Sequence, residues 1–546
     1  MPVIPTRAIP NRPPGPCSPH TPSLPGTFRF RKMFSRPSRS LLGLTAILML
    51  AGPFTNDWSR ADSEPSGEPG DRPNLLLIIA DDHRGGTLGI EGDPRRATPN
   101  LDALAREGLL FERAFCNAPL CTPSRQSLIT GRLPHAVGVT QLTTRLSDEV
   151  LTMGEWLRDL GYRTAAIGKM HFNGPSSHGF AVRVDTSDWR EYLQEHPPRG
   201  GDHRRPWRPF QDPAAVWLNA DCRPTGLPVE SMQSTFFVDR ALEYLGRYGQ
   251  GDRPFALIVS FYDPHSPFHF PDGWNRRFRP EEFPAPPVSE RDRREQPAIF
   301  TSLTPEQVRG IQAAYYTSLS FVDAQVGRLI RGLDERNLSG RTLVVYVGDN
   351  GYMLGEHGRF EKHCLYEPAV RIPLILRWSG SIPGGRRTAE LVEMVDILPT
   401  VLHLMRLPAP PGLQGLDLEP LVRGRAGARG HEAVFSEYLE NEEAMVRDAR
   451  FKLIVGTGRR LRQDGYHTGQ PLPGPYQRLF DLVDDPAETR DLADDPRHQA
   501  IKDDLLHRMY RRLATTREGL EPVPPGLSEL EAIHWCLVPR DSEGAR

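Results

Sequence analysis

Asn74-Leu75-Leu76-Leu77-Ile78-Ile79-Ala80, followed at once by Asp81-Asp82, is an apolar run that stops on two carboxylates. A run without polar residues at alternate positions suits a strand buried on both faces, as in a parallel sheet covered by helices. Four further runs of this character lie at 164–167, 255–261, 342–347 and 372–378. Thr98-Pro99-Asn100-Leu101 reads as a capped helix start, and 305–333 and 395–405 carry helical patterns. Strands alternating with helices predict an α/β fold with a mainly parallel central sheet flanked by helices. In such open sheets the site lies beyond the carboxyl ends of the strands. Asp81-Asp82, Gly168-Lys169, Asp263-Pro264-His265 and Gly348-Asp349-Asn350 all fall just past predicted strand ends.

The pattern lapses twice, at 181–235 and at 271–297, into Arg-, Pro- and Trp-rich sequence. The first lapse holds Trp189, Trp207, Trp217, Arg204, Arg205 and Arg208, and long irregular segments of this kind often line sites. After Arg423-Gly424-Arg425-Ala426-Gly427 come short β-like runs (433–438, 450–455, 477–482) and then a helix predicted over 491–514. The organisation expected is a catalytic unit over 72–425, a smaller C-terminal α+β subdomain over 430–520 and a loose tail over 521–546. At 546 residues, two compact units are the natural reading. A charged fraction of 25% and a net charge of -2 give no support for a nucleic-acid or membrane-surface partner.

The amino end reads as a leader. Residues 1–32 are Pro- and Arg-rich, Met33-Phe34-Ser35-Arg36-Pro37-Ser38-Arg39-Ser40 is a basic run, and 41–52 is an apolar block. That block is too short to span a bilayer, which takes about 20 residues. With Ser59-Arg60-Ala61 as a small-x-small cleavage site, residues 1–61 are expected to be a leader and secretory signal peptide. The protein is then exported, periplasmic or extracellular, without a stable membrane anchor, and Met33 is an alternative start. Six cysteines are present, at 17, 116, 121, 222, 364 and 536, in no zinc-binding spacing. One or two disulfides would suit an exported protein.

Cys121-Thr122-Pro123-Ser124-Arg125, continuing Gln126-Ser127-Leu128-Ile129-Thr130-Gly131, is the most informative stretch for chemistry. Pro123 suits a first helical turn and Gly131 a helix end, which places Cys121 at a helix mouth with Arg125 one turn along. Such a setting is electropositive and is expected to be partly exposed, where a thiol is reactive. Asp81, Asp82, Asp349 and the amide oxygen of Asn350 form an all-oxygen donor set that suits calcium or magnesium rather than zinc.

Cys-x-Pro-Ser-Arg resembles the signature of the type I sulfatases, of the alkaline phosphatase-like superfamily. The resemblance covers about residues 72–500, through Met394-Val395-Asp396-Ile397-Leu398-Pro399-Thr400 and Leu479-Phe480-Asp481-Leu482. It implies that Cys121 is oxidised to Cα-formylglycine by a maturation enzyme and joins Asp81, Asp82, Asp349 and Asn350 around one calcium ion. Gly168-Lys169-Met170-His171 resembles the family's Gly-Lys-x-His element, Phe261-Tyr262-Asp263-Pro264-His265 its sulfate-binding histidine segment and Phe360-Glu361-Lys362 its second catalytic lysine region, in the family's order. The same resemblance implies that Arg125 and Lys169 stabilise the hydrated aldehyde, that Lys362 and His265 hold sulfate oxygens, and that His171 takes the proton that lets the aldehyde reform. Glu356 and His357 lie beside the metal loop and are expected to shape the pocket rather than react. The expected function is hydrolysis of sulfate monoesters on sulfated carbohydrate, which the Arg- and Trp-bearing segment would meet by charge and stacking. The alternatives are a small ester such as choline sulfate, a phosphate or phosphonate ester, or a non-catalytic glycan-binding protein. Gly168-Lys169-Met170-His171-Phe172 with His178-Gly179-Phe180 resembles choline sulfatases.

Overall fold

The structure, a computed structural model, describes residues 72–198, 208–459, 474–517 and 519–541. The expected signal peptide lies outside the described residues, as do Arg204, Arg205 and Trp207. Eight strands form the main sheet: β1 (Asn74–Ala80), β2 (Leu109–Phe115), β3 (Arg163–Gly168), β4 (Val182–Val184), β5 (Phe255–Ser260), β6 (Thr342–Gly348), β7 (Arg371–Arg377) and β8 (Arg386–Glu393). Their order is β4-β3-β5-β1-β6-β7-β2-β8. From β4 to β6 every pair is parallel; β7 opposes both its neighbours, and β2 and β8 run parallel to each other.

The apolar run of β1 serves two cores because side chains alternate across the pleat. Leu75, Leu77 and Ile79 pack on one face with Leu128, Ile129, Met153, Leu157 and Val401. Leu76, Ile78 and Ala80 pack on the other with Leu101, Phe237, Leu245, Val322 and Val326. The first set of partners sits on helices Cys121–Thr130, Met153–Asp159 and Ile397–Leu404, the second on Pro99–Arg106, Gln233–Tyr248 and Pro305–Glu335. A helix–sheet–helix sandwich results, as the run of β1 predicts.

A second, antiparallel sheet holds β9 (Val434–Tyr438), β10 (Glu443–Arg447), β11 (Phe451–Gly456) and β12 (Tyr476–Asp481), in the order β12-β11-β10-β9. The helix expected at 491–514 runs instead over Gln499–Thr515, because Asp495 caps a separate 3-10 turn at Pro496–His498 first. The chain beyond residue 521 is not a loose tail throughout. Ser528 caps a helix, Glu529–Cys536, whose Ile533 and Cys536 are buried with Leu453 and Met509. Asp541 then accepts hydrogen bonds from Thr140 and Thr144. The five described cysteines, Cys116, Cys121, Cys222, Cys364 and Cys536, are all free. No described helix is long and apolar enough to cross a membrane.

Candidate active site

Four adjacent parallel strands, β3, β5, β1 and β6, end side by side. Ala80 is level with Gly348, and Ser260 is level with both Ile79 and Gly168. The residues that leave these strands are therefore neighbours: Asp81-Asp82, Asp349-Asn350, Lys169 to His171 and Asp263 to His265. Asp82 and His171 take left-handed backbone, with φ of 63° and 61°. Non-glycine residues in that region are strained and concentrate at functional sites.

The helix Cys121–Thr130 closes over these strand ends and ends on Gly131 in left-handed conformation, as its sequence requires. It is fastened from three positions. Ser124 Oγ donates to the Asp349 carbonyl, and Gln126 Nε2 donates to the His171 carbonyl at 2.9 Å. Arg125, 1% exposed, donates Nε to Asp349 Oδ2 at 2.8 Å and one terminal nitrogen to the Lys169 carbonyl and Ser260 Oγ, both at 2.6 Å. Its other terminal nitrogen, 3.7 Å from Asp81 Oδ1, makes no hydrogen bond. A single guanidinium thus ties three strand ends together, which its rigid fork of donors permits and a lysine does not.

Cys121 is not partly exposed: its side chain is buried. Sγ lies 3.2 Å from Asp81 Oδ1 and receives Lys362 Nζ at 2.7 Å. Burial and the carboxylates of Asp81 and Asp349 push the thiol up to about 12, against the pull of Lys169 and Lys362. The helix mouth alone implied a reactive thiolate; the carboxylates arriving from β1 and β6 reverse that sign.

Asp81, Asp82 and Asp349 each bring a carboxylate oxygen to within 4.8 Å of the others, and all three are fully buried. Burial opposes ionisation of each. At Asp81 the surrounding Lys169, His265, Lys362 and Arg125 prevail, Lys169 foremost, and hold it well below the usual carboxylate range. At Asp349 burial and the Asp81 charge win and raise it to about 6, and Asp82 is raised as well. Two buried oxygens here, Asp82 Oδ2 and Asn350 Oδ1, have no hydrogen-bond partner. Unsatisfied buried acceptors beside crowded carboxylates fit a hard divalent cation, which takes oxygen ligands. The acidic cluster is thus suited to hold a metal.

Lys169 Nζ reaches Asp81 Oδ2, and Lys362 Nζ reaches Asp82 Oδ1. His265 donates Nδ1 to the Ser266 carbonyl at 2.7 Å, which turns Nε2 toward Asp82 Oδ2 at 3.8 Å. Burial, with Lys362 and Lys169 nearby, lowers His265 to about 3. Burial together with Lys169 and Arg125 lowers His171 to about 2, and its Nδ1 is buried without a partner. The segment carrying Lys362 is braced from the second sheet. Lys452 Nζ on β11 donates to the Leu365 carbonyl at 3.0 Å and pairs with Glu367 at 2.9 Å and Glu488 at 2.8 Å.

A cavity of about 730 Å³ opens over Cys121. Asp82, Lys169, His171, His265 and Lys362 line it, while Asp81, Arg125, Asp349 and Asn350 lie behind these with almost no exposure. The wall comes from the segment 181–235, which is not irregular throughout: Trp189 and Arg190 sit on the helix Thr186–Glu195 and Trp217 on the short helix Ala214–Trp217, with Phe210, Leu227 and Met232 also lining it. Glu356 and His357 do not shape the cavity. Glu356 pairs with Arg84 at 2.8 Å, and His357 bonds Asp292 at 2.9 Å and stacks on Tyr366 at 3.8 Å. Tyr262, Asp263, His269, Tyr352 and His363 also line the cavity. Sequence reasoning assigns these no role, although each lies within or next to a segment that carries a site residue.

Comparison with known proteins places the chain in a family. A family model described as Sulfatase matches residues 73–407, and one described as N-sulphoglucosamine sulphohydrolase, C-terminal, matches residues 355–515. The choline-sulfatase of Rhizobium meliloti is 28% identical over 504 residues, 87% of this chain and 92% of that protein. The ulvan-active sulfatase of Formosa agariphila is 28% identical over 460 residues, 83% of each chain. The phosphonate monoester hydrolase of Agrobacterium radiobacter superposes with a TM-score of 0.69 at 24% identity, over 82% of this chain and 96% of that one, and so shares the fold. With the family model spanning more than half of its length, the chain belongs to the sulfatase family of the alkaline phosphatase-like superfamily and is a sulfuric ester hydrolase.

Proposed function

We propose that this sulfatase acts on sulfated carbohydrates, with Cys121 converted to Cα-formylglycine and one calcium ion at the acidic cluster. The observation that carries the reading is the setting of Cys121. Its sulfur is held between Lys362 Nζ and Asp81 Oδ1, in a site that keeps it a thiol with a pKa of about 12. A thiol so placed is a poor nucleophile, yet Lys362 rests on it, and Lys169 and Arg125 reach the Asp81 carboxylate beside it. Asp81, Asp82, Asp349, Asn350 and residue 121 would hold the ion, which supplies positive charge to an anionic ester. Formylglycine supplies a hydrated aldehyde, one hydroxyl to attack sulfur and a second whose deprotonation releases sulfate.

The remaining roles belong to the chain. Lys169 and Lys362 now rest on Asp81 and Asp82; once a divalent ion takes those carboxylates, Lys169 is free to support the oxygens at position 121 and Lys362 to hold a sulfate oxygen. His265 faces the same space with Nε2; protonated there under the charge of the bound sulfate ester, it would hold a sulfate oxygen and hand that proton to the departing alcohol. His171, kept neutral by burial, has a free Nδ1 to receive the proton from residue 121. The unpartnered nitrogen of Arg125 supports the oxygen atoms at position 121. Fixed donors of this type are each worth about 10²–10³ in rate.

Carbohydrate is favoured by the aromatic wall of Trp189, Phe210 and Trp217, suited to sugar faces, by Arg190 at the mouth, and by the ulvan-active relative. Export by a signal peptide in residues 1–61, and conversion of Cys121 by a formylglycine-generating enzyme, complete the proposal. The test is a sulfate-release screen over glycosaminoglycan, algal glycan and choline sulfate substrates, with a phosphonate monoester beside them. Release from sulfated saccharides, lost on calcium chelation, is expected. Turnover confined to choline sulfate or the phosphonate would contradict the carbohydrate reading.

A further inference from the structure

Asp263 is a carboxylate in the cavity that the chemistry above leaves idle. Apart from Asp82, it is the only carboxylate among the described lining residues. It is 5% exposed, and Oδ2 accepts from Ser234 Oγ at 2.5 Å, in the first turn of the helix Gln233–Tyr248. Oδ1 has no donor among the described residues and is not sealed from solvent, so it opens on the cavity. Asp263 also lacks the cationic partner that Asp81, Asp82 and Asp349 each possess. Burial raises its carboxyl to about 7, with only the Ser234 hydrogen bond pulling the other way.

An acceptor that no protein donor reaches and that opens on the cavity is free to be taken by a ligand in place of water. The donor has to come from the alcohol portion of the substrate, since the sulfate carries only acceptors. The ammonium groups of Lys169, 5.3 Å from the Tyr262 ring, and Lys362 also line the cavity, which disfavours a second ammonium group and favours a neutral hydroxyl.

We infer that Asp263 Oδ1 receives a hydroxyl of the sugar ring that carries the sulfate, so that a free hydroxyl near the ester is a requirement for good substrates. This rests on the carbohydrate reading above and makes Asp263 a specificity-determining residue. The hydroxyl takes the empty acceptor site while Ser234 keeps the other oxygen in place.

The test uses the matured enzyme with monosulfates of glucosamine, galactose and a uronic acid. Each is paired with its analogue deoxygenated at the ring carbon next to the ester-bearing one. In the wild type the parent sugar should exceed its deoxy analogue in kcat/KM by about ten- to a hundredfold, the worth of a hydrogen bond to a carboxylate. Asp263→Asn should shrink that preference to a few-fold, chiefly through KM of the parent sugar. Ser234→Ala, which keeps the carboxylate, should retain most of it. A preference that survives in Asp263→Asn, or equal losses on both members of a pair, would overturn the inference while leaving the sulfatase reading intact. Turnover of choline sulfate but of no sugar would overturn the carbohydrate reading and this inference with it.

Discussion

Replacing Lys362 by methionine keeps the reach of the side chain and removes its charge, and its surroundings set two effects of different kind. Nζ is buried among Asp82 Oδ1, Cys121 Sγ and, at 4.0 Å, Asp81 Oδ1. Without it Asp82 retains one donor, Asn350 Nδ2 at 2.7 Å, and its other oxygen has none. Breaking a buried charge pair in this way costs about 3–5 kcal/mol, reduced to the extent that Asp82 can take up a proton. A divalent ion should recover most of that loss, because it offers Asp82 a replacement cation. It does not replace the donor aimed at sulfate, so kcat should stay down by about 10²–10³. The assay pairs thermal unfolding in calcium and in chelator with sulfate release at saturating calcium. Lys362→Met should lose more thermal stability on chelation than wild type, yet remain slow when fully loaded. A variant within a few-fold of wild-type kcat, or one no more sensitive to chelation than wild type, would rule out this double role for Lys362.

His431 provides a pH test away from the site. It pairs with Asp396 at 2.9 Å; burial alone would lower it, but Glu393 and Asp396 carry it to about 9, above the ordinary 6.5. The linked stability, about 3 kcal/mol, is fully present below pH 6.5 and is lost as pH rises through 9. His431→Gln should therefore narrow its gap to wild type between pH 6 and 9.5 in urea unfolding; a constant gap would count against the pair. Gly168→Ala should cripple both folding and activity. An added Cβ would lie 1.8 Å from the Ser260 carbonyl at a φ of +101°, in the turn that delivers Lys169. Near-normal melting and sulfate release in that variant would show the turn to be more adaptable than its geometry implies.

Legibility from sequence followed burial. β1, β3, β5, β6 and β7 declare themselves because nearly every side chain is apolar, as burial on both faces demands. β2 and β8 do not, because Glu112 and Arg113 interrupt one and the first half of the other lies at the sheet edge in partial contact with solvent. The long helix Gln233–Tyr248 is hidden by the irregular composition that precedes it, although its face toward the sheet is apolar from Phe236 to Leu245. Site residues at strand ends are legible because topology alone makes them neighbours. The cavity wall is legible only as a segment: the sequence points to 181–235 with Trp189 and Trp217, but that Phe210, Leu227 and Met232 line the same cavity is set by tertiary packing. Cys121 is legible in position and misleading in character, because a helix N-terminus speaks for a thiolate until the opposing carboxylates are in place.

Whether residue 121 acts as an aldehyde or as a thiol decides the proposed chemistry, and the tryptic peptide 114–125 distinguishes the two. That peptide also contains Cys116, a buried free thiol that serves as an internal reference after unfolding. In a preparation that releases sulfate, mass spectrometry should find one alkylated thiol, at Cys116, and an aldehyde at position 121 captured by a hydrazine, with no turnover from Cys121→Ala. Full sulfate release from protein in which both positions alkylate as thiols would contradict the aldehyde chemistry.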